Sequence, residues 1–273
     1  MNWPEKPLVA GMARGAGGAL IFAIPMLMTM EMWSLGHAAE PFRLAILLVA
    51  LPCLLIALAH YVGFRESSSL VDHAADSLVA IGIAAIMAIA FLALFGQLAR
   101  GMAADELVGK IAIQVVPASM GAMLSRGQLG NQPDGAERRR KTRPTYAGEL
   151  FLMFVGALFL SLNVAPTDEV PRIVHSATPW HQIALVVASI AIMHVFVYFV
   201  ELRGRVPVEP GVTFVSAFLR FTLVGYAIVL ATSFLLLWLF GRVDGVGPAE
   251  LAGTLAVLSL PGAIGAAAAR LLL

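Results

Sequence analysis

The sequence predicts an all-α integral membrane protein, a polytopic transmembrane helical bundle of about eight helices. Of its 273 residues, 59% are hydrophobic and 13% are charged. A soluble domain carries roughly 25% charged residues, so this chain has too few to cover a water-facing surface. Its apolar runs approach the ~20 residues that a helix needs to cross the hydrocarbon core. Its basic residues are concentrated in some connections and scarce in others, as the positive-inside rule requires.

The apolar runs place the eight predicted spans. They cover about 13–35, 42–64, 76–98 and 106–125 in the first half, and 147–164, 181–202, 212–240 and 249–273 in the second. Span 1 has Pro25 near its middle, and span 4 is the most polar, with Lys110, Gln114 and Pro117. The division predicts a transmembrane unit at 1–124, a basic linker at 125–146 and a second transmembrane unit at 147–273.

The basic residues predict the orientation of the spans. With the N-terminus and the linker in the cytoplasm, the inner side carries Lys6, Arg14, Arg65, Arg126, Arg138, Arg139, Arg140, Lys141, Arg143, Arg203, Arg205 and Arg270. The outer side carries Arg43, Arg100, Arg172 and Arg242. This bias predicts a protein of the bacterial inner membrane with both termini in the cytoplasm.

The two halves share residues at a constant separation, which predicts an internal duplication. Glu106, Gly109, Pro117, Gly121 and Arg126 recur 144 positions later as Glu250, Gly253, Pro261, Gly265 and Arg270. Leu94-Phe95-Gly96 recurs at a separation of 145 as Leu239-Phe240-Gly241. A weaker match, at a separation of 130, pairs Gly18-Ala19-Leu20 with Gly148-Glu149-Leu150. Four helices in each half predict parallel repeats, related by an axis along the membrane normal.

Three segments resemble a known family. GALIFAIPMLMTMEMW at 18–33, GALFLSLNVAPTDE at 156–169 and YFVELRG at 198–204 are similar to the bacterial integral membrane family labelled DUF2391. The resemblance covers nearly the whole chain and implies a multi-helix membrane fold. It implies no activity and no catalytic residue.

Ionisable side chains within a bilayer cost free energy and require partners. Glu31, in the outer third of span 1, is either a protonatable or cation-binding carboxylate or an interfacial residue bonded to a neighbouring helix. At a separation of 130, Ser161 and Asn163 stand where the first half has Glu31 and Trp33. The halves would then contribute unlike polar groups at one depth.

A polar face is predicted between spans 6 and 7. His194, Tyr198 and Glu201 follow the i, i+4, i+7 spacing of one helix face. Arg220 of span 7 is expected at about the level of His194 and within reach of Glu201. The face forms either a polar inner cavity or proton path, or a structural cluster that holds the two spans together.

The junction of spans 2 and 3 is rich in titratable groups, with His60, Asp72, His73 and Asp76. They either attract cations to the cytoplasmic mouth or cap the start of span 3.

Three prolines are candidate helix breaks: Pro25, Pro117 and Pro261. Pro117 and Pro261 are each followed by small residues at three- and four-residue spacing. This pattern is typical of tight helix packing, and it is also compatible with broken helices that line a pathway.

The sequence contains no catalytic motif of the families considered, so we expect no enzyme. We also expect no cofactor, no metal site and no nucleic-acid partner. Cys53 is the one cysteine, which excludes a disulfide within the chain. The predicted function is a transporter or channel for a small ion, with proton linkage as one form. The alternative is a non-transporting membrane scaffold or sensor that acts through partner proteins. The expected partners are the lipid bilayer and small inorganic ions or protons, and a homo-oligomer stays open.

Overall fold

The computed structural model describes residues 6–62, 69–99, 101–128, 145–202 and 214–272. The chain forms two compact units, Met1–Gln132 and Pro133–Leu273, called unit 1 and unit 2 below. In the described ranges every regular element is helical. Among the described residues, seven helices are long and apolar enough to cross a membrane, and a bent pair gives an eighth if it counts as one span. The predicted class, a polytopic helical membrane bundle, is confirmed.

Unit 1 is built around its last helix. The helices are α1 (Lys6–Leu27), α2 (Met30–Ala38), α3 (Pro41–Val62), α4 (Leu70–Leu94) and α5 (Ala104–Gln128). Helix α5 contacts the other four helices, and 78% of its most apolar 18-residue stretch is buried inside the protein. Because neighbouring helices shield α5 from lipid, it can carry the polar residues that make the fourth predicted span the least apolar.

Unit 2 has the same order of elements. They are α6 (Tyr146–Val164), α7 (Glu169–Ser176), α8 (Pro179–Leu202), α9 (214–239) and α10 (Pro248–Leu272). Helix α10 contacts the other four and is the central helix here. Helix α9 starts with one turn of α-helix, Phe214–Ala217. It continues as the π-helix Phe218–Leu223 and ends as the α-helix Val224–Leu239. We call the end of each unit farther from the 125–146 linker its distal end.

The first predicted span is not one helix, which corrects the sequence prediction. It is divided between α1 and α2, whose axes meet at 92°. Pro25 cannot donate a main-chain hydrogen bond, and α1 ends two residues after it. The carbonyl of Met26 accepts hydrogen bonds from the main chain and hydroxyl of Thr29, and the carbonyl of Leu27 accepts one from the Trp33 indole. These local bonds satisfy the end of α1 without continuing the helix.

The other two prolines behave differently. Pro117 lies inside α5 and Pro261 lies inside α10, and both helices continue through them. The structure therefore shows no helix break at these two positions. Both are in central helices that neighbours surround, and such packing can hold a proline-containing helix together.

Glycine pairs allow a close helix crossing in each unit. In unit 1 a side chain on Gly18 or on Gly121 would collide with the backbone of the other. In unit 2 the same holds for Gly156 and Gly265. Small residues let backbones approach this closely in membrane helices. These contacts relate the first helices of the units at a separation of 138, not at the 130 that the sequence match suggested.

The helices that precede the central ones end in the same way. After α4 the chain turns at Gly96, with φ +69°, and after α9 it turns at Gly241, with φ +70°. In each case the glycine and the residue after it donate main-chain hydrogen bonds back to the last helical turn, in a Schellman motif. This ending requires a left-handed residue, which explains the Leu-Phe-Gly triplet found in both halves.

Candidate functional site

The contact between α8 and α9 contains a half-buried histidine at an irregular stretch of helix. Nδ1 of His194 lies 2.9 Å from the hydroxyl oxygen of Thr222, which is fully buried in the π-helix. The His194 ring also meets the Phe218 ring edge-on, at 5.3 Å between centroids. π-Helical turns are rare and are frequent at functional sites. A polar contact between the sixth and seventh predicted spans is thus present, with a partner that the sequence pattern did not indicate.

Arg220 does not point into this contact. Its side chain is exposed, and its main-chain carbonyl accepts a 2.8 Å hydrogen bond from the Tyr146 hydroxyl. The side chains of Tyr198 and Glu201 lie outside the described residues, so their predicted pairing with Arg220 stays a prediction. The π-helix adds a residue to the turn, and this changes which residues of α9 face α8.

The interior of unit 2 contains a chain of three buried hydroxyls from three helices. The Tyr226 hydroxyl donates to Oγ of Ser259 at 3.2 Å, and Oγ of Ser259 lies 3.3 Å from Oγ of Ser189. Ser189 and Ser259 are fully buried, and Tyr226 is 6% exposed. Each hydroxyl is near the middle of its helix, so the chain lies at membrane depth.

Two more hydroxyls lie near Gly262, which follows Ser259 by three residues on α10. Ser161 and Ser233 are fully buried, and neither hydroxyl has a hydrogen-bond partner in the described part of the chain. Both face Gly262, where an added side-chain carbon would lie 2.8 Å from the Ser161 oxygen and 3.7 Å from the Ser233 oxygen. Asn163 donates to the Phe159 carbonyl, and its own side-chain oxygen has no partner among the described residues.

In unit 1 the break after α1 brings polar groups together. Gln114, fully buried in α5, lies with Nε2 3.5 Å from the Met26 carbonyl, and its Oε1 has no partner in the described ranges. Glu31 is half-buried in the first turn of α2, beyond the break. The structure thus moves Glu31 from a continuous membrane helix to the start of a short helix nearly perpendicular to α1.

The start of α4 is capped, and His73 in its first turns packs against His60 of α3. Ser69 caps α4 and Asp72 bonds back to the Ser69 main chain at 2.9 Å, which completes a capping box. His73 is buried, and its ring meets that of the exposed His60 edge-on at 5.9 Å. Asp76 is half-buried one turn further along. Of the two interpretations of Asp72, capping is the one whose geometry is present.

The distal end of unit 2 has a pocket with charged walls. It has a volume of about 230 Å³ and lies between the end of α6, the helix α7 and the start of α10. Arg242 lines it, with its guanidinium 2.9 Å from the Asp168 carboxylate and hydrogen-bonded to the Pro166 carbonyl. Glu250 and Thr254 of α10 also line it.

The distal end of unit 1 has a lysine instead. Lys110 is 8% exposed, and Nζ lies 2.8 Å from the Glu106 carboxylate. The same ammonium group donates to the main-chain carbonyl of Gln97 at 3.4 Å. A largely buried ammonium needs such partners, because its charge would otherwise be unsolvated.

The described residues contain no cluster of three or more His, Cys, Asp or Glu side chains that could hold a metal ion. The polar groups that the structure does bring together are mostly hydroxyls. Sequence reasoning missed Ser189, Tyr226, Ser233 and Ser259, because single hydroxyl residues are common in membrane helices. Their clustering depends on how the helices are rotated, which no spacing within one helix reveals.

Comparison with known proteins agrees with this architecture. The family described as "Putative integral membrane protein (DUF2391)" matches residues 11–273. The chain belongs to DUF2391. The DUF2391 match spans both units and confirms the resemblance seen in the three sequence segments. No curated protein and no solved structure matches the chain.

Proposed function

We propose that this protein is a transporter or channel for a small ion, with proton linkage, and that the path crosses unit 2. The hydroxyl chain of Tyr226, Ser259 and Ser189 is the observation that carries the proposal. Polar groups at membrane depth cost free energy and often mark ion or proton pathways. Unit 1 has Ile81 and Val115 at the positions that match Tyr226 and Ser259, so an apolar filling is compatible with this packing.

Hydroxyl groups suit a proton path for a chemical reason. Each can donate one hydrogen bond and accept others. Ser259 and Ser189 donate to the carbonyls of Ala256 and Leu185 in this structure, so the chain would hand protons along when these hydroxyls rotate towards each other. The oxygens of this chain are spaced 3.2 and 3.3 Å apart. They are too closely packed to admit a hydrated metal ion, so the linked proton is the species that the chain itself would carry.

The path is tested with purified protein in proteoliposomes and separate flux assays for protons, potassium, sodium, ammonium and chloride. We expect Ser259→Ala and Tyr226→Phe each to lower flux of the transported ion at least tenfold. The control is Ser119→Ala, which removes a fully buried serine of unit 1 that bonds to its own helix. Its flux should equal that of the wild type.

Two outcomes would contradict the proposal. If folded Ser259→Ala and Tyr226→Phe conduct like the wild type, the hydroxyls only hold the helices together. If the wild type moves none of the five ions, the protein is better explained as a scaffold or sensor that acts through partners.

Orientation and duplication belong to the same proposal. We place the protein in the bacterial inner membrane with both termini in the cytoplasm, and we treat the units as parallel repeats. The basic residues of the linker support the orientation. The glycine crossings, the shared order of helices and the two Schellman endings support the duplication. If the units arose by duplication, differences between matched positions indicate where their roles diverged.

A further inference from the structure

The pocket of unit 2 and the lysine pair of unit 1 are at matching positions. The matches, at separations of 144, 144 and 145, are Thr254 with Lys110, Glu250 with Glu106, and Arg242 with Gln97. In unit 1 an ammonium group sits between a carboxylate and a main-chain carbonyl. Unit 2 has the corresponding carboxylate, of Glu250, and the corresponding main-chain carbonyl, of Arg242. It has Thr254 in place of the lysine that carries the ammonium group.

Glu250 therefore lacks the cation that its counterpart has. It is exposed at the wall of the pocket, and the structure gives it no ion pair in the described ranges. A lysine at position 254 would direct its side chain into this space, by analogy with Lys110. The pocket of about 230 Å³ is thus where a covalently attached ammonium lies in unit 1.

The packing of the short helices explains why the space is open in unit 2. In unit 1 the backbone of α2 at Gly36 lies directly against Gly109 and Lys110 of α5. In unit 2 Val174 of α7 has the position of Gly36, and its Cγ1 lies 2.9 Å from where Gly253 would carry a side chain. A valine between the helices keeps their backbones further apart than two glycines do.

The charges around the pocket favour a cation. Arg242 is the one basic residue in the wall, and its guanidinium is paired with Asp168. Glu250 adds a carboxylate to the same wall. Arg172 and His175 line an adjoining open groove and not this pocket. With Arg242 paired to Asp168, the Glu250 carboxylate gives this wall a negative charge.

We propose that this pocket binds a small monovalent cation the size of ammonium. Its ligands are the Glu250 carboxylate, the Thr254 hydroxyl oxygen and the main-chain carbonyl of Arg242. The Thr254 hydroxyl donates to the Glu250 carbonyl at 2.9 Å, which leaves its lone pairs available to the cation. The inference rests on the proposed function and deepens it, because it names the class of ion and its site at the distal mouth.

Binding is tested without flux, by thermal unfolding of the purified protein in detergent. The probes are ammonium, potassium and sodium chloride, with choline chloride at equal ionic strength as the control for screening. At ten times Kd we expect a saturable rise in the unfolding temperature of roughly 3–6 °C. A rise with ammonium alone indicates recognition of N–H donors, and equal rises with potassium or sodium indicate recognition of charge and size. Either result supports the site.

Variants locate the effect. Glu250→Gln should abolish the rise, and Thr254→Lys should abolish it while raising the unfolding temperature in salt-free buffer, because the lysine supplies the cation. Lys110→Thr should create a second saturable site, in unit 1. The matched control is Glu169→Gln, which removes an exposed carboxylate at the same end of unit 2 that does not line the pocket.

An effect of choline equal to that of the test salts, or a rise that survives in Glu250→Gln, would overturn the site. If Thr254→Lys does not fold, the comparison of Glu250→Gln with Glu169→Gln still decides whether the rise in unfolding temperature comes from this site. Saturable binding with no flux of any ion would refute the proposed transport and leave the site standing. Flux that keeps its concentration dependence in Glu250→Gln would refute the site alone.

Discussion

Unit 1 and unit 2 share a close glycine crossing, Gly18 with Gly121 and Gly156 with Gly265, and differ in what surrounds it. Next to the crossing, unit 1 has Ala23, Ala88 and Val115, all buried. The matching positions of unit 2 hold hydroxyl residues, which are Ser161, Ser233 and Ser259. A crossing that packs with apolar neighbours in one unit does not need hydroxyls in the other. We therefore connect the hydroxyls of unit 2 with the proton path proposed above.

The distal ends of the units also differ, and here it is unit 1 that has the buried charged side chain. Unit 1 fills the space beside α5 with Lys110 and balances its charge with Glu106. Unit 2 leaves a pocket there and uses Arg242 to tie the connection after α9 to Asp168. At this end one unit has an internally neutralised lysine, and the other has a pocket. This asymmetry assigns structural support to unit 1 and ion handling to unit 2 in the proposed mechanism.

The largest expected effect is in cysteine labelling, where each position reacts from one side of the membrane only. This experiment distinguishes parallel from inverted repeats. After replacement of Cys53 by serine, single cysteines at Ala99 and Gly247 mark the two distal ends, and one at Asn131 marks the linker. If the units are parallel, a membrane-impermeant thiol reagent should label the first two from one side and the third from the other. Labelling of Ala99→Cys and Gly247→Cys from opposite sides would show that the units are inverted.

The next largest effect concerns the glycine crossings. Gly121→Val and Gly265→Val would each place a branched side chain against backbone that cannot move aside. We expect each to cost at least ~3 kcal/mol, or to lower the unfolding temperature by about 6–12 °C. Gly17→Ala is the control, since a side-chain carbon there meets nothing within 4 Å. If one unit tolerates its valine, the two crossings are not equivalent.

A smaller effect is expected at the helix endings. Gly96→Ala and Gly241→Ala force an alanine into left-handed backbone, at about 1–2 kcal/mol each. Chemical denaturation of the two single variants should show similar losses, because the endings have the same hydrogen bonds. Gly82→Ala serves as a control in a helix interior, where a side-chain carbon meets nothing within 4 Å. Unequal losses would show that only one ending depends on its glycine.

The smallest effect on stability is expected from the hydroxyl chain. Tyr226→Phe removes one hydrogen bond between helices, and such bonds contribute on average ~0.6 kcal/mol in membrane proteins. The unfolding temperature should fall by only about 1–2 °C, while transport falls tenfold. A loss of stability several times larger, with a proportional loss of flux, would indicate that the chain is structural.

Much of the architecture follows from composition and pattern alone. Long apolar runs must become helices in a bilayer, because main-chain polar groups find no other partners there. The recurrence of Gly121 as Gly265 and of Gly96 as Gly241 also identified positions where the structure needs a missing side chain or a left-handed turn. Glycines needed for a close approach or a left-handed turn can be recognised in the sequence, because the lack of a side chain is a property of the residue itself.

Other features depended on the three-dimensional arrangement. The break after Leu27 could not be told from a proline kink, since Pro25, Pro117 and Pro261 all lie in apolar runs and α5 and α10 continue through theirs. In α9 the π-helix presents Thr222 to His194, whereas the sequence placed Arg220 at the level of His194. The serines that meet Tyr226 come from helices distant in sequence. Packing decided these outcomes, because which face of a membrane helix is turned inward depends on its neighbours and not on its own residues.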